Sequence, residues 1–452
     1  MCNTLETSSN HSYRCTLFKT IADLYMRVHL KTLGCRLNEA ELETWSRDFQ
    51  LLGHELTQEL NEADLIVVNT CAVTGEAVRK SRKLIRRAQR NNPAAKLVVS
   101  GCYASLDPAD SSGIDLVVNN KDKDRLVEIT TQQLDLHAMP AIATEPGEST
   151  LLARGRQRAF IKVQDGCRYR CTFCIVTLAR GEERSRPATD IIAEINELHA
   201  GGIQEVVLTG VHIGGYGSDI ESNLFQLIQA ILNGTEIPRI RLGSVEPWDL
   251  PDNFWTLFEN SRLMPHLHLP LQSGADSVLR RMARRCSTAD FQQLIERARK
   301  RVPNFCVTTD IIVGFPGETD DEWQQTLAFV EQMQFSHLHI FSYSPRPGTK
   351  AAELPGHVDR ETQKQRSQQL HNLGQKLKRA NQQAYLGQEF SVLIENKTET
   401  VEKEQAIWSG YTPNFLRVAV QAPVELALEN CICQVRLETL AEDGDHILAS
   451  LV

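Results

Sequence analysis

The sequence predicts an α/β protein in three parts: an N-terminal parallel α/β domain, a central and partly open (β/α)6 barrel, and a small OB-like β-barrel at the C-terminus. Three observations predict it. From Arg27 to about residue 138, short apolar runs alternate with helical segments, the pattern of βαβ units and a parallel sheet. A second strand–helix series then fills residues 153–384, after a polar, Pro-containing stretch. The last part, 385–452, changes to short strands separated by turn signals.

Taken in order, residues 1–26 show no clear period and are expected to be a disordered extension with no role for Cys2 or Cys15. The first strands read "VHLKTLGC", "ADLIVVNTC" and "AKLVVSGC", with helices around Glu39–Leu52 and Glu76–Arg90. Each strand ends in a cysteine: Cys35, Cys71 and Cys102. Ligands of open α/β sheets bind beyond the carboxyl ends of the strands. One strand-end cysteine is most simply a small core residue; three in the same position point to a shared metal site. A linker, 139–152, follows.

The central series begins with "RAFIKVQDGC" and continues through "QEVVLTGV", "RIRLGSVEP", "HLHLPLQSG", "VTTDIIVGFPGE" and "HLHIFSYSPRPGT". Helices are expected at Asp190–Ala200, Asn223–Leu232 and Asp321–Met333, and functional residues belong on the loops at the strand C-termini. After the first strand comes "QDGCRYRCTFCIV", with Cys167, Cys171 and Cys174 at C-x3-C-x2-C. Structural zinc closes with four ligands, and ferredoxin-type runs contribute four cysteines. Three thiolates leave a metal position open, where a reactant binds.

A charged helix, Arg360–Ala384, leads to strands "EFSVLIEN", "QAIWSGYT", "FLRVAVQA", "CICQVRLETL" and "HILASLV". OB-like barrels often stack bases on aromatics, which makes Trp408, Tyr411 and Phe415 candidate platforms. This part holds four basic residues against eleven acidic ones, so it is no strong phosphate binder by itself.

The 452-residue chain is 41% hydrophobic and 23% charged, ordinary for a globular protein, and no run approaches the roughly 18 apolar residues of a membrane span. The N-terminus lacks the pattern of a secretory signal, so a cytoplasmic protein without membrane partners is expected. Twelve cysteines there are better read as metal ligands in part than as a disulfide framework. Net charge is −8, yet basic residues concentrate in three runs. Arg79–Arg90 carries seven without an acid, Arg154–Arg186 carries nine against three acids, and the third spans Arg280–Arg301. Such runs can be solvated helix faces, but two flank cysteine motifs and suggest a polyanion near the reactive site. Cys286, Cys306, Cys431 and Cys433 are read as core or surface residues. His266 and His268 share a strand face and are expected to be buried and hydrogen-bonded; "RPGT" (346–349) reads as a turn.

The Cys167/Cys171/Cys174 loop, with Phe173 before the last cysteine, resembles the signature of the radical S-adenosylmethionine enzymes. With the Cys35/Cys71/Cys102 triad before it and a TRAM-like barrel after it, Arg27–Val452 resembles the methylthiotransferases. The segments "LGCRLNEAE", "VVNTCAVTGEAVRKSR", "GVHIGGYG" and "GYTPNFLRV" look like the branch acting on N6-threonylcarbamoyladenosine in tRNA; the isopentenyladenosine branch usually has Gln-Met where this chain has Arg36 and Leu37.

The resemblance implies two 4Fe–4S clusters, each held by one cysteine triad with one iron open, and S-adenosyl-L-methionine as cofactor. It implies a radical formed at the Cys167 loop that removes hydrogen from C2 of adenine 37, and a methylthio group delivered from the other cluster. Contacts to S-adenosylmethionine are expected at barrel strand ends, from Thr209, Gly210, Ser244, Glu246, Gln272 and Ile311–Gly314. The tRNA anticodon loop would be held by the first two basic runs, and an electron donor such as a flavodoxin or ferredoxin would reduce the cluster. A monomer is expected. Rival readings keep the radical chemistry but act on isopentenylated tRNA or a ribosomal-protein aspartate, or make the chain a two-cluster electron carrier or metal-stabilised RNA-binding module.

Overall fold

The computed structural model describes residues 26–106, 113–136, 157–402 and 404–452. Residues 1–25 of the expected extension, with Cys2 and Cys15, and the linker at 139–152 lie outside the described residues. The chain divides into two compact units, 1–147 and 148–452.

In the first unit the elements run β1 (Arg27–Thr32), α1 (Arg36–Leu51), β2 (Glu55–Leu56), β3 (Leu65–Thr70), α2 (Gly75–Asn91), β4 (Lys96–Gly101), α3 (Cys102–Leu106), β5 (Leu116–Val118) and α4 (Leu126–Gln133). The sheet is wholly parallel, in the order β2-β1-β3-β4-β5. Central β3, "LIVVNT", is buried at every residue, the mark of a strand covered on both faces. Val28, Leu65, Val67 and Val98 pack against Trp45 and Phe49 of α1. Thr74 starts α2 by accepting the Ala77 N–H at 3.1 Å.

The second unit opens with β6 (Arg158–Lys162). A short antiparallel ribbon follows, β7 (Gln164–Asp165) with β8 (Arg184–Ser185), enclosing α5 (Val176–Arg180). Then come α6 (Ala188–Ala200), β9 (Glu205–Thr209), α7 (Leu224–Gly234), β10 (Arg239–Leu242), β11 (His266–His268), α8 (Asp276–Arg281), α9 (Thr288–Arg301), β12 (Cys306–Val313), α10 (Asp320–Met333) and β13 (His337–Ser342). Parallel pairing gives β10-β9-β6 and β11-β12-β13, and the bridges Ile240–Leu263 and Ser244–His268 join them. The result is one arc of six strands, with no pairing between β6 and β13 among the described residues. This is the partly open (β/α)6 barrel the sequence predicts. Capping boxes at Ser287/Asp290 and Thr319/Glu322 set the starts of α9 and α10.

After α11 (Arg360–Gln383), β14 (Glu389–Glu402), β15 (Gln405–Tyr411), β16 (Arg417–Pro423), β17 (Ile432–Leu440) and β18 (Ile447–Leu451) close into a barrel ordered β14-β15-β16-β18-β17. No helix among the described residues is long and apolar enough to cross a membrane.

The expected stacking platforms need correction. Trp408 is 4% exposed and packs in the small barrel's core with Val392, Val418 and Val420. Tyr411 stacks on Phe415 (4.7 Å, 17°), and Phe415 stacks on His266 at the start of β11 (4.8 Å, 29°). The guanidinium of Arg241 lies 4.7 Å from the Phe415 ring and that of Arg158 4.8 Å from Tyr411. Phe415 adopts φ 71°, a left-handed conformation unusual for an aromatic residue. Around it, Arg239 donates to the carbonyls of Tyr411 and Ser391, and Arg241 to that of Pro413. Glu205 takes both Arg241 bonds at 3.0 and 3.1 Å. These groups come from the starts of β6, β9, β10 and β11, so the small barrel is fastened to the N-terminal ends of the large barrel's strands. Trp408 is thus a core residue, and Tyr411 and Phe415 are half-buried in contacts with the large barrel.

Candidate functional site

In the first unit the sheet brings the three strand-end cysteines to one edge. Strands β1, β3 and β4 are neighbours, with Thr32 opposite Asn69 and Thr70 opposite Gly101, so Cys71 and Cys102 leave the sheet in step. Cys35 is exposed at the start of α1, Cys71 is buried, and Cys102 opens α3. Gly34, at φ 111°, lets β1 turn against its neighbour: a Cβ there would lie 2.8 Å from both Cβ and Sγ of Cys71. Ser81 of α2 accepts the Cys71 N–H (3.1 Å) and donates to the Cys71 carbonyl (3.0 Å). Asn120 donates to Cys102 Sγ at 3.8 Å. Behind this edge Asn38 donates to the carbonyls of Leu33 and Thr70, while Asn69 donates to Glu41, itself paired with buried Lys123.

In the second unit the Cys167 loop follows β7 and is tied down on several sides. The Cys167 N–H donates to the Gly181 carbonyl, the Thr172 N–H to that of Met282, and the Cys174 N–H to that of Cys171. Phe173 packs with Val278, Met282 and Phe315, so the motif's aromatic residue anchors the loop. Arg284 points Nη1 at Cys171 Sγ (3.9 Å) and covers the Trp248 ring at 4.4 Å. Burial pushes the Cys167 thiol up to about 12 and that of Cys174 to about 11. Thiolates here need a cation to hold them.

A carboxylate–histidine cluster beside the loop escaped the sequence reading. His212 has Glu183 Oε1 on Nδ1 and Asp249 Oδ2 on Nε2, each at 2.6 Å. Tyr169 donates to Asp249 at 2.9 Å, with its ring edge on the imidazole. Gln164 Oε1 accepts the N–H groups of Val211 and His212. Burial lowers the His212 pKa, but the bonds to Asp249 and Glu183 and the charge of Glu246 outweigh it and hold the ring above its ordinary value. The partners lie 29 and 37 residues away in sequence, so no local pattern announced them.

The expected S-adenosylmethionine contacts fall at different depths. Thr209, Gly210, Ser244, Glu246 and Gln272 sit at or just past the C-terminal ends of β9, β10 and β11. Glu246 Oε2 has no hydrogen-bond partner and lies 3.8 Å from His212 Nε2; burial raises its pKa. Gln272 holds φ 80° while bridging to Ile311. The Ile311 side chain is in the barrel core. Gly314 gives its N–H to Glu318 and accepts from Gln363. In the second basic run, Arg154 and Arg156 lie outside the described residues, and every lysine and arginine from Arg158 to Arg186 pairs with a carboxylate of the same unit, including Arg168 with Glu183 and Arg180 with Asp165. These pairs brace the loop, while Arg168, Arg170 and Arg184 keep part of their side chains exposed.

Both cysteine sets suit a multi-iron cluster better than a single ion. Thiolates around one tetrahedral zinc lie about 3.8 Å apart, from a Zn–S bond of about 2.3 Å. Among the described residues, no set of three metal-binding atoms within 4.8 Å of one another contains two of these cysteines. The orphaned Glu246 oxygen, in turn, suits the amine of S-adenosylmethionine.

Residues 161–330 match the Radical SAM superfamily and residues 27–119 match Uncharacterized protein family UPF0004. The chain is 35% identical to the threonylcarbamoyladenosine tRNA methylthiotransferase MtaB of Bacillus subtilis, over 88% of this chain and 91% of that one. It is 37% identical to the MtaB protein of Thermotoga maritima, over 81% and 86%. Among solved structures, the radical S-adenosylmethionine methyltransferase TsrM of Kitasatospora setae, with tryptophan and a SAM analogue bound, matches at TM-score 0.55 and 15% identity, over 94% of this chain and 85% of that one. That likeness concerns the fold.

Proposed function

Because the chain belongs to the MtaB-type radical S-adenosylmethionine tRNA methylthiotransferases, we propose that it adds a methylthio group to C2 of N6-threonylcarbamoyladenosine at position 37 of tRNA. In this reading it uses two 4Fe–4S clusters and two S-adenosylmethionine molecules per turnover. The observation that carries it is the pair of three-cysteine sets: Cys167, Cys171 and Cys174 in one loop, and Cys35, Cys71 and Cys102 at neighbouring strand ends. Neither set brings a fourth cysteine, which disfavours the electron-carrier reading. Relatives named tRNA-2-methylthio-N(6)-dimethylallyladenosine synthase match at 31–32% identity, below the MtaB proteins at 34–37%, and this favours the threonylcarbamoyl substrate.

When bound, the clusters supply the electron that opens S-adenosylmethionine to a 5′-deoxyadenosyl radical and the site from which sulfur is delivered. The chain's own part is to hold and shield. Arg284 directs a donor at Cys171 Sγ, the kind of contact that tunes a cluster's potential. Glu246, whose buried Oε2 has no hydrogen-bond partner, would take the cationic amine of S-adenosylmethionine. His212, clamped between Glu183 and Asp249, fixes Tyr169 and the loop against the ends of β9 and β10.

The test uses anaerobically reconstituted protein, dithionite, S-adenosylmethionine and tRNA bearing threonylcarbamoyladenosine, with digested nucleosides read by mass. A 2-methylthio product that is lost in both Cys167→Ala and Cys71→Ala is expected. Product on isopentenyladenosine tRNA alone would move the substrate to the other branch. Absence of both product and 5′-deoxyadenosine from iron-loaded protein would overturn the reading.

A further inference from the structure

The three basic runs look alike in sequence and differ in the fold. Arg158 to Arg186 is paired throughout, as described. In the third run Arg281 pairs with Glu322 and Arg297 with Asp252, Arg299 donates to the carbonyls of Met333 and Gln334, and Arg284 and Arg285 lie over Trp248 and Tyr169; among the described residues Arg280, Lys300 and Arg301 form no ion pair, but they sit at opposite ends of the run and line no common groove with one another. The run on α2 is different. Arg79, Arg82, Lys83, Arg86, Gln89 and Arg90 line a single groove of about 630 Å³. Their spacings of three, four, seven, ten and eleven residues put them on one helical face. Among the described residues, Arg79, Lys83, Arg86 and Arg90 form no ion pair; the helix's acidic residue, Glu76, pairs with Lys80 beside the stripe. Like charges at these spacings repel along a helix, and the one carboxylate described near them, Glu76, reaches only Arg79 at the end of the stripe.

The same helix is fastened to the cysteine edge. Its inner face carries Ser81, bonded to both backbone groups of Cys71. On the outer face Arg82 donates to Tyr103 Oη at 2.9 Å and lies over that ring, and Tyr103 follows Cys102. We propose that the stripe Arg79–Lys83–Arg86–Arg90 is the surface on which the RNA sugar-phosphate backbone is held, extending about 16 Å along α2 at 1.5 Å per residue. The proposal rests on the tRNA reading above and specifies which cations serve it. An anionic membrane fits less well, because surface-binding helices set apolar anchors beside their cations and the six lining residues among those described are all polar. Phosphate contacts position the RNA without reading its bases.

The experiment compares reconstituted full-length wild type with Lys83→Gln/Arg86→Gln, titrating threonylcarbamoyladenosine-bearing tRNA across a salt series. Each phosphate contact contributes about 0.7–0.9 to the slope of log affinity against log salt. The double variant should therefore lose about 1.4–1.8 of slope and bind roughly 25- to 60-fold more weakly at 0.1 M salt. Lys300→Gln/Arg301→Gln removes as many charges from exposed positions on α9 and should leave the slope unchanged. An unchanged slope in the α2 variant would overturn the proposal, as would an equal loss in the α9 variant. So would wild type binding phosphatidylserine vesicles more tightly than tRNA through the same two residues. Wild type that binds no tRNA at all would instead bring down the substrate reading beneath it.

Discussion

Replacing Glu205 with glutamine should loosen the second unit far more than a single neutralised charge on a surface. Glu205 is 1% exposed, accepts two bonds from Arg241, and lies 3.8 Å from both Arg158 and Arg239. Burial raises its pKa, but Arg241, Arg158 and Arg239 outweigh this and keep it ionised. Arg239, pushed down to about 10 by burial, is still charged at neutral pH. The amide keeps the shape and removes the charge, leaving buried Arg239 and Arg241 without their carboxylate. Stranding a buried charge in this way costs about 3–5 kcal/mol. Unfolding entropy of about 2.1 cal/mol/K per residue over a unit of roughly 300 residues gives about 0.6 kcal/mol/K. Glu205→Gln should then lower Tm by about 5–8 °C. Calorimetry of the full chain reads this directly, and the two barrels of this unit should still melt in one transition. A fall of under about 2 °C would refute the claim that Glu205 neutralises the arginines joining the two barrels.

Other outcomes follow from the same geometry. Gly34→Ala places a methyl group against Cys71 at a φ that L residues resist, so reconstituted protein should hold about half the wild-type iron yet still cleave S-adenosylmethionine to 5′-deoxyadenosine; full iron by colorimetry would contradict this. In iron-free protein at pH 7.5, iodoacetamide should modify exposed Cys431 well before Cys167 and Cys174, whose thiols burial holds up near 12 and 11; peptide mass mapping shows the order, and early labelling of Cys167 would count against it. The bond from Arg281, with help from Ser277 and the Thr319 backbone, holds Glu322 down to about 2 against an ordinary 4.5. A depressed carboxylate stabilises the fold fully above its unfolded pKa and loses that contribution as pH falls through the folded one. Glu322→Gln should therefore be less stable than wild type by a constant margin above pH 5, with the gap closing toward pH 2. A gap that widens in acid would refute the pairing.

The sequence reading succeeded where local pattern determines position. Cysteines closing three apolar runs had to emerge at strand ends, and the pairing of β1, β3 and β4 made those ends neighbours. It was silent where partners are remote. "RIRL" in β10 alternates like a strand with its arginines in water, yet Arg239 and Arg241 are buried because the loop after β15, some 170 residues later, lies over them. Trp408 carried a signal that was overlooked: Ala406, Trp408 and Gly410 alternate on the buried face of β15. For His212 there was none, since Glu183 and Asp249 reach it from other loops. Charge runs were legible as composition only; which cations stay unpaired depended on carboxylates brought in by the fold.

The joint around Phe415 also governs traffic. With the small barrel's loop seated against the starts of β6, β9, β10 and β11, that end of the large barrel is covered by the chain itself, while among the described residues no pairing closes the seam between β6 and β13. In the proposed reaction, a radical formed at the rim bearing Cys167 would survive only while that rim is covered. The substrate of that reaction would then also be the stopper, and with a short or poorly seated RNA the radical should be quenched before the base is modified.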